Sequence, residues 1–275
     1  MDFHKLYNLS LSYKSTPKMP IFFFGHGSPM NAIEENEFVL SWRKISETIP
    51  KPNAIICISA HWITKGTAVT AMNKPRTIHD FGGFPKELFE VKYPVNGAPE
   101  LAKNISKSIT ENPILLDHQW GLDHGSWSVL KHLYPEANVP VIQLSLDAYK
   151  TTLEHYKLAK ELSILRRKGI LILGSGNIVH NLNRIDWNNF DKIDHAFAWA
   201  REANKRIKRL IENNDHYSLQ NYKKLGVAVN LAIPTSEHYL PLLYILALQE
   251  KGDILEFFND KAVGGSLSMT SLKLT

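Results

Sequence analysis

Four short apolar runs in this chain each lead to a histidine, and that arrangement constrains the fold more than any other feature. Residues 21–24 lead into Gly25-His26-Gly27-Ser28-Pro29, and residues 55–59 into Ala60-His61-Trp62. Residues 170–173 lead into Gly174-Ser175-Gly176-Asn177-Ile178-Val179-His180, and residues 227–233 into Pro234-Thr235-Ser236-Glu237-His238. Short β-branched and aromatic runs closed by Gly, Ser or Pro read as buried strands. In open α/β sheets, ligand sites gather outside the carboxyl ends of the strands. Four imidazoles placed there can converge on one point. Neutral imidazole is a common metal ligand and an acid or base near neutral pH.

Between these runs the pattern alternates. Helices are expected over residues 31–48, from Pro99 to about residue 110, up to residue 133 after a loop at 120–127, over 151–168 with Gly169 as the stop, and over 191–213 and 238–249. Further strands are expected at 67–72, 115–116, 139–146, 226–233 and 266–273. Strands alternating with helices predict a layered α/β fold with a central, mostly parallel but mixed sheet flanked by helices. Without a Pro/Gly/Ser-rich linker or composition shift, 275 residues at 44% hydrophobic suit one domain over 20–275, preceded by an irregular segment at 1–19. Residues 74–98 form a long irregular stretch rich in Gly and aromatics, suited to a binding loop.

The 32 basic and 27 acidic residues give a formal charge of +5. The basic residues are dispersed over helix-like segments, which argues against nucleic acid as a partner. The single cysteine, Cys57, lies inside an apolar run, so a buried core thiol is expected and an intrachain disulfide is excluded. A reducing, cytoplasmic setting is expected, with no membrane partner, because no run approaches transmembrane length.

His26, flanked by two glycines, and His61, directly after a core run, read as metal ligands. His180 reads as a ligand or a catalytic base; its glycine turn lacks the third Gly of a dinucleotide fingerprint and any phosphate-binding Lys. Glu237 and His238 are neighbours about 100° apart on a helix, so one metal takes only one of them. His238 is the choice; Glu237 would instead make a two-His, one-carboxylate face around Fe(II). His124, in Asp123-His124-Gly125-Ser126-Trp127, reads as an acid/base beside the site, with Asp123 to orient it, or as a helix-capping residue. His79 in the long loop is a candidate substrate contact. His4, His118, His132, His155, His195 and His216 read as surface or structural.

Five motifs occur in one order: Gly25-His26-Gly27-Ser28-Pro29, Ser59-Ala60-His61-Trp62, His79-Asp80-Phe81-Gly82-Gly83-Phe84-Pro85, Asp123-His124-Gly125-Ser126-Trp127 and Glu237-His238-Tyr239-Leu240-Pro241-Leu242. Together they resemble the 4,5-DOPA extradiol dioxygenase family, within the LigB-like class III extradiol ring-cleavage dioxygenases, over about residues 20–270. The resemblance implies a mononuclear non-haem metal enzyme that opens catechols, L-DOPA among them, with O2. It implies Fe(II) for activity, with Zn(II) found in the same position. Carried across, it makes His26 and His61 ligands, His180 a ligand or base, and His124 the second active-site histidine. It puts His238 beside the third-ligand position, which a glutamate fills in more distant members and so leaves Glu237 or His238 as the third. Two other readings of the same histidines are a zinc-dependent hydrolase and an inactive metal-binding relative.

Overall fold

The structure is a computed structural model and describes residues 14–109, 111–190 and 192–275. Its main sheet has eight strands: β1 (Ile21–Gly25), β2 (Ala54–Thr64), β3 (Thr67–Thr70), β4 (Ile114–Asp117), β5 (Val141–Asp147), β6 (Ile170–Gly176), β7 (Leu255–Phe258) and β10 (Ser271–Leu274). Their spatial order is β4-β3-β5-β2-β6-β1-β10-β7. The four central strands β5, β2, β6 and β1 run parallel. Antiparallel pairings of β3 with β5, β10 with β1 and β7 with β10 make the sheet mixed. A small hairpin, β8 (Ala262–Val263) with β9 (Leu267–Ser268), stands apart.

The central strands are apolar throughout because both faces are covered. Side chains alternate across a strand. Ile21 and Phe23 of β1, Ile56 and Ile58 of β2, and Ile170 and Ile172 of β6 therefore enter one core. Phe22 and Phe24, Ile55 and Cys57, and Leu171 and Leu173 enter the other. Helices Pro99–Ser108, Thr152–Glu161, Ala198–Glu212 and Leu240–Ala247 cover the first face. Helices Glu37–Ser46 and His124–Leu133 cover the second with Trp42, Trp127 and Leu130. Cys57 is fully buried, and burial pushes its thiol well above the usual range.

Several expectations need correction. The run at 226–233 is not a strand: Val227–Ala232 is helical. Val229 and Ala232, three apart, are buried while Val227 is exposed, which is a helical rather than an alternating pattern. Gly226, at φ 98°, starts the helix in a backbone conformation that side chains resist. The segment expected as one helix at 31–48 is a 3-10 turn, Pro29–Ala32, followed by Glu37–Ser46, whose N-cap is the Asn36 side chain. The helix expected over 151–168 ends at Glu161 and tightens into 3-10 turns before the left-handed Gly169. The helix expected from 191 starts at Ala198, and β7 is an additional strand whose Leu-Glu-Phe-Phe has no clear alternation. His4 and the first thirteen residues of the 1–19 segment lie outside the described residues. Residues 14–20 are irregular and pinned by amides of Thr16 and Met19 donating to Arg167 and Arg166 carbonyls. No helix among the described residues is long and apolar enough to cross a membrane.

Candidate metal centre

The carboxyl ends of adjacent parallel strands bring the histidines together. β1 and β6 pair out to Gly25 and Gly176, and His26 follows with its amide on the Gly176 carbonyl at 3.1 Å. His61 lies inside β2, where the ladder breaks: β2 advances from Ile58 to Ile63 while β5 advances only from Leu144 to Leu146. This bulge takes His61 out of regular register, as bulges near functional sites commonly do. Gly176 lets the last loop close on the sheet, since a Cβ there would lie 2.2 Å from the His238 carbonyl oxygen. That carbonyl instead accepts from the Asn177 amide at 2.8 Å.

His26, His61, His124, His180 and His238 line one cavity of about 500 Å³, and Glu237 is not part of its wall. The His26 and His61 Nε2 atoms are 3.1 Å apart. Ser175 donates its hydroxyl proton to the Gly125 carbonyl, so its oxygen accepts from His26 Nδ1–H at 3.0 Å. On His61, Nδ1 lies 3.6 Å from the Asp80 carboxylate. Ser175 assigns the His26 proton to Nδ1, and the Asp80 carboxylate, beyond hydrogen-bond reach of His61, favours the same tautomer there by its charge, which leaves two Nε2 lone pairs facing each other. Facing lone pairs repel unless a cation lies between them. Two nitrogens each about 2.1 Å from one ion lie roughly 3.0–3.4 Å apart for the usual ligand angles, so the spacing fits a shared ion.

Two histidines flank this pair differently. His124 starts its helix, and Asp80 clamps it twice, accepting from its backbone amide at 2.8 Å and from Nδ1–H at 2.9 Å. The ring nitrogens of His26, His61 and His124 include a set lying within 4.8 Å of one another. His238 is 93% buried, and neither of its ring nitrogens has a hydrogen-bond partner. Its ring centre is 5.4 Å from that of His26 and 4.9 Å from that of His61. His180 stacks on it in parallel at 3.5 Å. Buried nitrogens without partners are costly unless something absent from the protein chain fills their valence.

Burial keeps four of these rings neutral. Burial lowers His61 to about 3, helped by His124 and opposed by Asp80. Burial also holds His26 and His238 well below the usual range, with repulsion from the other histidines adding to it, and lowers His180 to about 4. For Asp80, burial acts to raise its pKa, but hydrogen bonds and charge from His124 outweigh it and hold the carboxyl low. At neutral pH His26, His61, His180 and His238 are thus neutral donors, the state in which imidazole ligates.

The expected orienting role of Asp123 needs correction. Its carboxylate caps the helix through the Ser126 amide and accepts from Ser59, behind the site, while Asp80 holds His124. Asp80 lies between His79 and the Phe81-Gly82-Gly83 turn; a carboxylate beside the glycines of a long loop was the available signal. His79 turns away, bonded to the Val91 carbonyl at 3.0 Å, and lines a separate groove with Arg76 and Lys92. Phe81 and Phe84 of the same loop do line the histidine cavity. Among the histidines read as structural, His132 and His155 are buried and bonded to backbone carbonyls.

The family model described as the catalytic LigB subunit of aromatic ring-opening dioxygenase matches residues 19–261. The chain belongs to this family. A relative from Escherichia coli K12 named 4,5-DOPA dioxygenase extradiol is 41% identical, covering 94% of this chain and 96% of that protein. One of the same name from Beta vulgaris is 35% identical, covering 92% and 96%. The crystal structure of an uncharacterised Escherichia coli K12 protein superposes with a TM-score of 0.81 at 37% identity, covering 94% of this chain and all of that one. The chain is an extradiol dioxygenase of the LigB family, and its histidine cluster can hold a metal ion.

Proposed function

We propose that this LigB-family dioxygenase opens catechols beside their two hydroxyls, using O2 at one divalent metal held by His26, His61 and His238. The substrate has the L-DOPA pattern, a side chain para to one hydroxyl, and cleavage is of the 4,5 type. The observation that carries the ligand set is His238, buried with both ring nitrogens unpartnered beside the facing Nε2 atoms of His26 and His61. Glu237 is the poorer candidate: its carboxylate accepts from the Thr235 hydroxyl and lies outside the cavity wall. When bound, the ion supplies Lewis acidity toward the catechol oxygens and, as Fe(II), the redox activity that reaction with O2 requires; Zn(II) supplies only the first.

The protein's own residues do the rest. His124, with Nδ1–H fixed on Asp80, presents Nε2 as its free nitrogen. It can take a proton from a catechol hydroxyl and return it as the ring opens. His180, stacked on His238, is a second base or a fourth ligand. The aromatic walls position the ring and exclude water, which converts an encounter of reactants into an oriented one. A single catalytic domain over 20–275 and a cytoplasmic setting complete the reading; the buried, unpaired Cys57 supports the latter.

The close set His26, His61 and His124 favours a second assignment, in which His124 is the third ligand. Oxygen uptake and the absorbance of ring-opened product, measured across a catechol panel with Fe(II)-reconstituted protein, test the function. Ester or amide hydrolysis by Zn(II)-loaded protein, with every catechol left intact under Fe(II), would replace it with the hydrolase reading.

A further inference from the structure

The cavity in front of the histidines is larger than a catechol ring needs, and its outer walls are apolar. At about 500 Å³ it falls within the range that houses drug-sized ligands. One wall is Phe81 and Phe84, packed edge to face at 5.4 Å. The other is Leu182, Ile185, Trp187 and Phe190, carried by two 3-10 turns at Leu182–Arg184 and Trp187–Asn189. Trp187 stacks on Phe190 at 5.6 Å, yet is 72% exposed, and Leu182 is 57% exposed. Large apolar side chains held open to solvent at a cavity mouth are unfavourable unless something apolar covers them.

This wall is built rather than loose. The Asp186 amide donates to the Gly264 carbonyl at 2.9 Å, and the Asp186 carboxylate meets His195 Nε2 at 2.9 Å and the Asn189 amide at 2.8 Å. Gly264 allows the β8–β9 hairpin to press against Phe190, since a Cβ there would lie 2.8 Å from the Phe190 ring.

Charge around the cavity is one-sided. Among the described residues no Lys or Arg lines it. Asp80 lies in its wall, and the Glu237 carboxylate is 3.6 Å from His238 Nδ1 just behind it. Arg184 shares a turn with Leu182 but is exposed and does not line the cavity. With the metal taken up by the catechol oxygens, a carboxylate on a substrate side chain would meet no Lys or Arg along this wall and would lie near the Asp80 carboxylate.

We infer that the wall formed by Leu182, Ile185, Trp187 and Phe190 selects catechols whose ring substituent is uncharged and apolar, and disfavours those that carry a carboxylate. The inference rests on the catechol reading above and refines it. The substituent would run outward between Trp187 and Phe84, covering the exposed rim.

Calorimetry on Zn(II)-loaded protein separates binding from turnover, because zinc is redox-inert. The probes are 4-propylcatechol, 3-(3,4-dihydroxyphenyl)propionate and L-DOPA, which share one chelating ring. The propyl compound should bind at least about tenfold more tightly than the propionate, with L-DOPA also weaker than the propyl compound, as expected when a desolvated polar group goes unpaired. Trp187→Arg and Leu182→Lys, both at exposed positions, should each narrow that ratio by strengthening propionate binding while bound zinc stays at one equivalent. Equal affinities in the wild type, or tighter propionate binding that disappears in Arg184→Ala, would overturn the inference and leave the catechol reading standing. If none of the three catechols binds the zinc-loaded protein, both fall together.

Discussion

His124 and His238 each neighbour the same pair of imidazoles, and the protein treats them in opposite ways. Asp80 satisfies His124 through both backbone and ring, so this histidine has a fixed tautomer and one free nitrogen. His238 has no hydrogen bond from the chain at either ring nitrogen, the Glu237 carboxylate standing off at 3.6 Å from Nδ1, although it is almost as buried. A partnered ring is suited to moving a proton, because its orientation survives the change of charge and a carboxylate stabilises the imidazolium. A buried, unpartnered ring is suited to donating a lone pair to an ion. Distance alone groups His124 with His26 and His61. Hydrogen-bond completeness favours His238 as the ligand, and it is the better guide because an orphaned buried donor or acceptor costs free energy in every folded molecule.

The largest effect that would break this contrast is loss of metal. His26→Ala and His238→Ala should each reduce bound metal, measured by elemental analysis, to a small fraction of one equivalent and remove ring-opening activity below detection. A His238→Ala protein that retains full metal occupancy would defeat the ligand assignment. His124→Ala should instead keep its metal and lose roughly 10²- to 10⁴-fold in turnover, the usual span for a removed acid/base. Metal loss in that variant would make His26, His61 and His124 the ligand set.

Asp80→Asn should act more gently than loss of His124 itself. The amide keeps the shape but cannot hold the Nδ1–H tautomer or stabilise a protonated ring, so turnover should fall roughly 10- to 100-fold with metal content nearly unchanged. Steady-state kinetics beside metal analysis decide it; wild-type rates would show that Asp80 does not position His124.

The smallest effect concerns pH and separates structural histidines from functional ones. His155 is buried between the Tyr244 hydroxyl and the Asp147 carbonyl, and burial lowers it to about 4. Folded protein therefore binds fewer protons here than unfolded protein between about pH 4 and the ordinary histidine value near 6.5. Its contribution is complete above about pH 6.5 and declines as pH falls toward 4. Denaturant melts of metal-free protein should show stability decreasing over that window. His155→Gln should flatten part of the slope while leaving metal binding intact. An unchanged slope would mean that other groups, such as His61 and His180, carry the whole dependence.

Much of this molecule was legible in the chain. Apolar runs closed by Gly and Ser marked β1, β2 and β6, because a strand covered on both faces has apolar residues at every position. The turns after them marked where His26, His61 and His180 would meet. Five ordered motifs marked the family. The run at 226–233 could not be assigned in the same way, since a short apolar stretch serves a helix or a strand equally well. Packing of the Val227–Ala232 helix against Ala198–Glu212, rather than any local preference, decided between them.

Partnership, unlike placement, was beyond the sequence. Asp123 is adjacent to His124 and looked like its carboxylate, yet the helix start turns Asp123 back toward Ser59 and Gln143. Asp80 reaches His124 across 44 residues of chain, because the 74–98 loop folds over the sheet's carboxyl edge. That no Lys or Arg among the described residues lines the cavity is equally a tertiary fact, since Arg76 and Lys92 of the binding loop open onto another groove and Arg184, between Leu182 and Ile185, is exposed outside it. Local sequence determined which residue types stand at the strand ends, through burial and turn chemistry acting over a few residues. Only the folded chain decided which of them are satisfied, because hydrogen bonds and charge depend on distances that close when remote segments pack.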